Sequence, residues 1–81
     1  HTFPCVYIFK VIGYADDNFT ARVVACVREE LQLETDPPFS LRNTAHGRHV
    51  AVTLEPTCDS SQQVLAIYAR LSGIDGLVML L

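Results

Sequence analysis

The sequence is short of the residues that mark several common classes of protein. It has no tryptophan, a single methionine, and charged side chains at only 19% of its 81 positions. Cations are the scarcer charged type, with six Lys and Arg against nine Asp and Glu. These six cations are scattered along the chain, whereas a nucleic-acid-binding domain gathers them on one surface. The composition therefore argues against nucleic-acid binding.

Cysteine is also sparse, and its spacing argues against a disulfide-stapled or metal-stapled fold. The three residues, Cys5, Cys26 and Cys58, are odd in number and form no CxxC pair. Secreted domains that depend on disulfides have more cysteines, in an even number. We therefore expect reduced thiols and a cytoplasmic protein. No apolar run approaches the ~18 residues that cross a bilayer, so we expect no membrane span.

Apolar residues, by contrast, are abundant, at 49% of the sequence. The length predicts a single domain over residues 1–81. A chain of this size buries only about 60–65% of the surface that its unfolded form exposes. So much apolar material in so small a domain predicts that part of it lies in a partner interface.

Residues 5–13 form the most apolar stretch, which predicts a central strand of a sheet. Alternation places Tyr7, Phe9 and Val11 on one face, and their aromatic bulk assigns that face to a helix-covered core. Residues 19–31 follow with apolar side chains at helical spacing, and Asp17 is the candidate N-cap.

The second half of the chain predicts a hairpin, a second helix and a last strand. Residues 39–44 and 49–55 alternate apolar and polar side chains, which predicts a hairpin with an edge strand. Ser60 and Gln63 resemble a capping box at the start of a second helix. Residues 77–81 predict a last strand, with Leu77, Met79 and Leu81 facing the core.

The element order β-α-β-β-α-β predicts an α+β protein with a ferredoxin-like fold. We expect a four-stranded antiparallel sheet of order 4-1-3-2, with both helices on one face because crossovers are right-handed. The expected core comprises Tyr7, Phe9, Val23, Val27, Val52, Ile67 and Met79.

The sheet face without helices is predicted to be the interface. Its residues are apolar or weakly polar, with few charges among them, and soluble monomers seldom expose such a surface. They are Val6, Ile8, Ile12, Ala51, Thr53, Val78 and Leu80. We therefore expect a homodimer or a bound protein partner at this face.

Several local strings carry a family resemblance over nearly the whole chain. They are Phe3-Pro4, Phe9-Lys10-Val11-Ile12-Gly13, Gly47 before Val52-Thr53, Gln63-Val64, Ile67-Tyr68 and Val78-Met79-Leu80-Leu81. Together they resemble the YbeD-like family of small bacterial proteins. The resemblance implies a βαββαβ fold similar to ACT regulatory domains and a cytoplasmic protein of unassigned function. Where that family has a Ser-x-Gly turn, this chain has Ala45-His46-Gly47.

The similarity to ACT modules also implies a candidate ligand site in the first strand-to-helix loop, at Gly13, Asp16, Asp17 and Asn18. Such loops often hold an amino acid at a subunit interface. Gly13 would allow close backbone approach, and the two carboxylates suit an ammonium group. The competing interpretation is a turn followed by a capped helix start.

Neither metal binding nor catalysis is predicted. His46 and His49, with Cys58 and Asp59, lack the spacing of a complete ligand set. Cys58 precedes a helix, but no base or oxyanion site accompanies it. The leading hypothesis is thus a non-enzymatic regulatory or interaction module without cofactor. The alternative is an acylphosphatase-like hydrolase, whose first-loop arginine is missing from residues 14–18.

Overall fold

The computed structural model describes residues 2–81. The elements in chain order are β1 (Cys5–Val6), β2 (Phe9–Tyr14), α1 (Phe19–Glu30), β3 (Phe39–Asn43), β4 (His49–Leu54), β5 (Thr57–Cys58), α2 (Ser61–Leu71) and β6 (Leu77–Leu80). All strand pairs are antiparallel, which confirms the α+β class and is compatible with a ferredoxin-like fold. Neither helix in this part of the chain is long and apolar enough to cross a membrane.

The strands form two sheets, where the sequence predicted one sheet of four strands. The larger sheet has the order β3-β4-β2-β6, and β1 pairs with β5 in a two-stranded ribbon. The predicted strand over residues 5–13 is therefore divided between β1 and β2.

Pro56 explains this division. The register does not shift across the break, since Cys5 stands opposite Cys58 and Phe9 opposite Leu54. Pro56 has no N–H and cannot donate in the ladder. Its carbonyl still accepts a hydrogen bond from the Tyr7 N–H at 3.0 Å, so the chain stays extended through the gap.

The two helices begin differently. Before α2, the Ser60 hydroxyl accepts from the Gln63 N–H at 3.2 Å, and Gln63 Oε1 accepts from the Asp59 N–H at 2.7 Å. The capping box is therefore confirmed, although the Gln63 side chain reaches one residue further back than predicted. Before α1, Asn18 rather than Asp17 is the N-cap, and its side chain makes no capping hydrogen bond.

A bulge in β6 overturns the predicted faces of the last strand. Ile12 pairs with Met79, but Gly13 pairs with Leu77, so Val78 is an extra residue in the ladder. Leu77 and Leu80 consequently both pack against the core, while Met79 is 49% exposed. Met79 was predicted in the core and Leu80 on the open face, and both predictions are wrong.

One hydrophobic core joins the sheet to both helices. The predicted core residues Phe9, Val23, Val27, Val52 and Ile67 are fully buried, and Tyr7 packs against them partly buried. The helices contact each other, so they cover the same sheet face. The core therefore lies between one helix layer and one face of the larger sheet.

Gly13 is the point where α1 comes closest to the sheet. A Cβ at this position would collide with the ring of Phe19, the first residue of α1. Phe19 is 2% exposed, and its ring lies on the bare glycine backbone. The glycine at this position is thus required by an aromatic ring of the same chain.

We expect Gly13→Ala to destabilise the fold by about 1–3 kcal/mol, because the added methyl group overpacks the Phe19 ring. Urea unfolding followed by circular dichroism measures the change. Gly73→Ala is the matched control, since a Cβ there meets only the Arg70 carbonyl oxygen at 3.8 Å. Equal stability of the two variants would contradict the proposed contact.

Candidate functional site

The predicted ligand loop lies at one end of a surface groove between α1 and the edge strand β3. The groove has a volume of 890 Å³, and Asp16, Asp17 and Asn18 line it. Its walls are apolar, with Val24 on the helix side and Phe39 and Leu41 on the strand side. Three of the four residues predicted for ligand binding therefore border a real concave surface.

Gly13, the fourth predicted residue, does not line this groove. It is buried, and the Phe19 ring occupies the space above it. The close approach that the sequence assigned to a ligand is made by this side chain instead. Gly13 therefore supports the site only indirectly, by allowing α1 to begin where it does.

The loop before α1 has a tight, unusual backbone. Asp17 and Asn18 both adopt left-handed conformations, with φ of 54° and 57°. The Asp16 carbonyl accepts from the Phe19 N–H at 3.0 Å. Asp and Asn tolerate this conformation better than most residues. The turn leaves the side chains of Asp16, Asp17 and Asn18 exposed.

Arg22 holds this loop against the turn that precedes β6. Its Nε donates to the Asp17 carbonyl at 3.0 Å, and its Nη1 donates to the Asp75 carbonyl at 2.9 Å. The guanidinium also stands over the Phe19 ring, 5.8 Å from the ring centroid. These contacts are with two backbone carbonyls and a ring, and no ion pair of Arg22 with Asp16 or Asp17 is found among the described residues.

Charge is distributed unevenly along the groove. At the end near Phe39, the Arg28 guanidinium forms an ion pair with Asp36. At the other end, Asp16 and Asp17 lie beside Asn43. Among the residues that line the groove, the charges outside this ion pair are the two carboxylates of the loop, which suit a cationic group of a ligand.

The open sheet face has a composition close to the one predicted, with four changes. Ile8 is 59% exposed, and Ile12, Ala51 and Thr53 are partly buried. Val6 is exposed on the two-stranded ribbon, beyond the larger sheet. The bulge residue Val78 remains exposed.

The other three changes follow from the bulge. Leu80 leaves the open face because it packs against the core. Met79 joins the open face, since it stands opposite Ile12. Leu81 joins it as well, because its N–H donates to the Lys10 carbonyl at 2.9 Å and it is 56% exposed. No feature of the sequence signals a bulge at Val78, so plain alternation placed these residues on the wrong faces.

The histidines and cysteines that the structure describes form no set of metal ligands. Within residues 2–81, no three His, Cys, Asp or Glu side chains come together as metal ligands. His49 instead packs its ring against Tyr14, with 5.1 Å between centroids. Cys58 is fully buried, and its burial raises the pKa of the thiol above its ordinary value. A catalytic thiol needs a lowered pKa and access to solvent.

The sequence-based prediction missed the groove because it treated β3 only as an edge strand. Phe39 and Leu41 are exposed, although both lie on the face that α1 covers further in. A signal was present in the alternation of these two apolar side chains with Ser40 and Arg42. The polar residues of this alternation were interpreted as the mark of an edge strand. The exposed apolar residues on the other side of the strand were overlooked.

Comparisons with known proteins find similar sequences over nearly the whole chain. Residues 1–81 match the model of a family described as "Protein of unknown function (DUF493)". A UPF0250 protein of Shewanella sp. strain ANA-3 is 34% identical over 74 residues, which cover 91% of this chain and 82% of the relative. A UPF0250 protein of Shewanella oneidensis is 32% identical over the same coverage.

A solved structure supports the fold. The solution structure of protein HP0495 from H. pylori superposes with a TM-score of 0.71 at 18% identity. The match covers all of this chain and 85% of that one. At this level of identity the likeness bears on the fold alone.

The burial of the thiols predicts their reactivity. Cys26 and Cys58 are buried with raised pKa values, chiefly through desolvation, whereas Cys5 is partly exposed. We expect a thiol reagent at pH 8 to modify Cys5 at least ~10-fold faster than the other two in the folded protein. Unfolding in guanidinium should equalise all three. Cys5→Ser removes the fast phase, and a fast phase that survives this substitution would contradict the assignment.

Proposed function

Because the chain belongs to the DUF493 (UPF0250) family, which includes the YbeD-like proteins and has no known function, we propose a function from its surfaces. The protein is a non-enzymatic regulatory module of the bacterial cytoplasm that acts by binding another protein chain through its open sheet face. Three unpaired cysteines support an intracellular, reducing location.

The observation that carries this proposal is the apolar surface on the open face. Ile8, Met79 and Leu81 are each about half exposed. On the central strand, the partly buried Ile12 stands opposite Met79. Burying such side chains stabilises an interface by ~25 cal/mol per Å² of apolar area, before the costs of association. A soluble domain that keeps them at its surface gains from a partner at this position.

The polar residues of this face favour one orientation of the partner. Lys10 and Arg42 border a shallow depression of 290 Å³ together with Ser40, Ala51 and Thr53. Met79 lies on β6 and Arg42 lies on β3. Lys10 lies between these strands on β2, where it stands opposite Thr53 and its carbonyl accepts from the Leu81 N–H. A partner surface with an apolar half and an acidic half would match both. A second copy would need to be offset so that its own cations avoid these.

The enzymatic alternative, an acylphosphatase-like hydrolase, has less support. Its phosphate would be held by a first-loop arginine, and the next arginine along the chain, Arg22, instead donates to the carbonyls of Asp17 and Asp75. The first loop presents carboxylates that repel phosphate.

Sensing of an amino-acid-like ligand is a second candidate function. The acidic loop at the end of the groove supports it, since Asp16 and Asp17 would attract an ammonium group. Under this second hypothesis, the ligand contacts Asp16, Asp17 and Asn18 but not Gly13. Titration of single amino acids, followed by amide signals of the loop, tests it directly.

Assembly through the open face predicts a clear effect of two surface substitutions. We expect Ile8→Asp with Met79→Lys to stay folded but to abolish a dimer, or capture of a partner, seen with the original chain. Light scattering across a concentration series measures the dimer. The control is Leu65→Lys on α2, which removes an equally exposed apolar side chain from the helix side. A strict monomer that captures no partner, or equal loss with the control, would refute the proposal.

A further inference from the structure

The edge strand β3 has backbone groups directed away from the protein. In its ladder with β4, the Thr44 N–H donates to the His49 carbonyl and the Glu55 N–H donates to the Pro38 carbonyl. Antiparallel ladders alternate, so the even-numbered residues of β3 bond to β4. The N–H and C=O groups of Phe39, Leu41 and Asn43 therefore point outward at the edge of the sheet.

The same three residues direct their side chains into the groove. Phe39, Leu41 and Asn43 line it, and Phe39 and Leu41 are 42% and 54% exposed. Their register partners Leu54, Val52 and Val50 are buried in the core, so the three side chains are on the helix-covered face. The strand β3 thus directs backbone hydrogen-bonding groups away from the edge of the sheet, and it directs partly exposed apolar side chains into the groove.

Charge gives this surface a direction. Asp16 and Asp17 lie at the Asn43 end, whereas Arg28 and Asp36 neutralise each other at the Phe39 end. A segment added along β3 would therefore meet free negative charge at one end only. Its cation belongs at the Asn43 end, and its apolar side chains belong opposite Leu41 and Phe39.

We propose that the groove binds an extended peptide segment of a partner protein, which adds to β3 as an antiparallel strand. Antiparallel pairing places the N-terminal end of the peptide opposite Asn43. The recognised pattern is then basic-x-apolar-x-apolar, with Lys or Arg near Asp16 and Asp17. Directly opposite residues share a face of the sheet, so all three specified side chains enter the groove.

The charge pattern argues against a second copy as the occupant. In a symmetric pairing of two β3 strands about Leu41, Phe39 of the copy would lie opposite Asn43, beside the carboxylates. The cation of β3, Arg42, directs its side chain to the opposite face, because its neighbours on the strand face the groove. The copy would thus place a phenyl ring where the groove calls for a positive charge.

This site is separate from the open sheet face, so the peptide proposal stands or falls independently of the interface proposed above. It competes directly with the amino-acid candidate, because both place a cation at Asp16 and Asp17. A peptide gains in addition the backbone hydrogen bonds of β3 and the apolar side of the groove. A free amino acid uses neither of these.

The test is a titration of the isotopically labelled protein with one designed peptide, capped Thr-Arg-Thr-Leu-Thr-Val-Thr, followed by amide chemical shifts. We expect saturable shifts on β3 and on residues 16–18. Asp16→Asn with Asp17→Asn should weaken binding at least about fivefold at low salt and remove its salt dependence. The matched control is Arg42→Gln, which changes the other face of the same strand and should bind unchanged.

Peptide backbone variants test strand addition without changing the protein. Methylation of the central Leu nitrogen removes the donor to the Leu41 carbonyl and should weaken binding by about tenfold. Methylation of the following Thr nitrogen, which faces solvent in this register, is the control and should have little effect.

Several results would overturn the proposal. One is the absence of shifts at peptide concentrations up to about 1 mM, since a specific strand addition should be measurable there. Shifts confined to the open sheet face, or equal effects of the two methylated peptides, would also reject it. Free arginine that binds as tightly as the peptide would replace it with the amino-acid candidate. A β3-paired dimer, seen by light scattering and abolished by Leu41→Lys, would replace it with a second copy.

Discussion

The structure depends on the pairing of β2 with a neighbour on each side. Phe9, Val11 and Gly13 face the core, and the N–H groups of the strand alternate between β4 and β6. This arrangement gives the central strand hydrogen-bonded neighbours on both edges. The Phe19 ring on Gly13 then sets where α1 begins, and the position of α1 leaves β3 uncovered at the far edge. The groove is thus a consequence of how the core is closed.

The two exposed surfaces differ in chemistry and suit different roles. The open sheet face has apolar side chains next to Lys10 and Arg42. The groove has apolar walls and a negative end at Asp16 and Asp17. Because the two surfaces lie on opposite faces of the sheet, one domain can contact two partners without competition. This arrangement supports the proposal of an interaction module.

The sequence predicted the features that depend on local patterns. Period-2 and period-3.6 spacing located both helices and the main strands, and the Ser60–Gln63 capping box was visible from residue types alone. Phe9, Val23 and Ile67 were correctly assigned to the core, because apolar residues recur around them at the spacing of a strand or a helix.

The remaining features depend on contacts between distant residues. The break in the first strand comes from Pro56, which is far along the chain and pairs with Tyr7. The bulge at Val78 changes the faces of Met79 and Leu80 without any local mark. The role of Gly13 depends on where the Phe19 ring lies, and the groove depends on how far α1 reaches across the sheet.

Residue-by-residue amide hydrogen exchange of the dilute protein is the most direct test of the account. It measures whether β2 is hydrogen-bonded on both sides while β3 keeps unpaired backbone groups at the edge of the sheet. The account predicts that the Val11 and Ile12 amides exchange only through global unfolding. In β3, the Ser40 and Arg42 amides should be protected by β4, while those of Leu41 and Asn43 exchange fast because they point outward. Strong protection of Leu41 and Asn43, or fast exchange in the middle of β2, would contradict it.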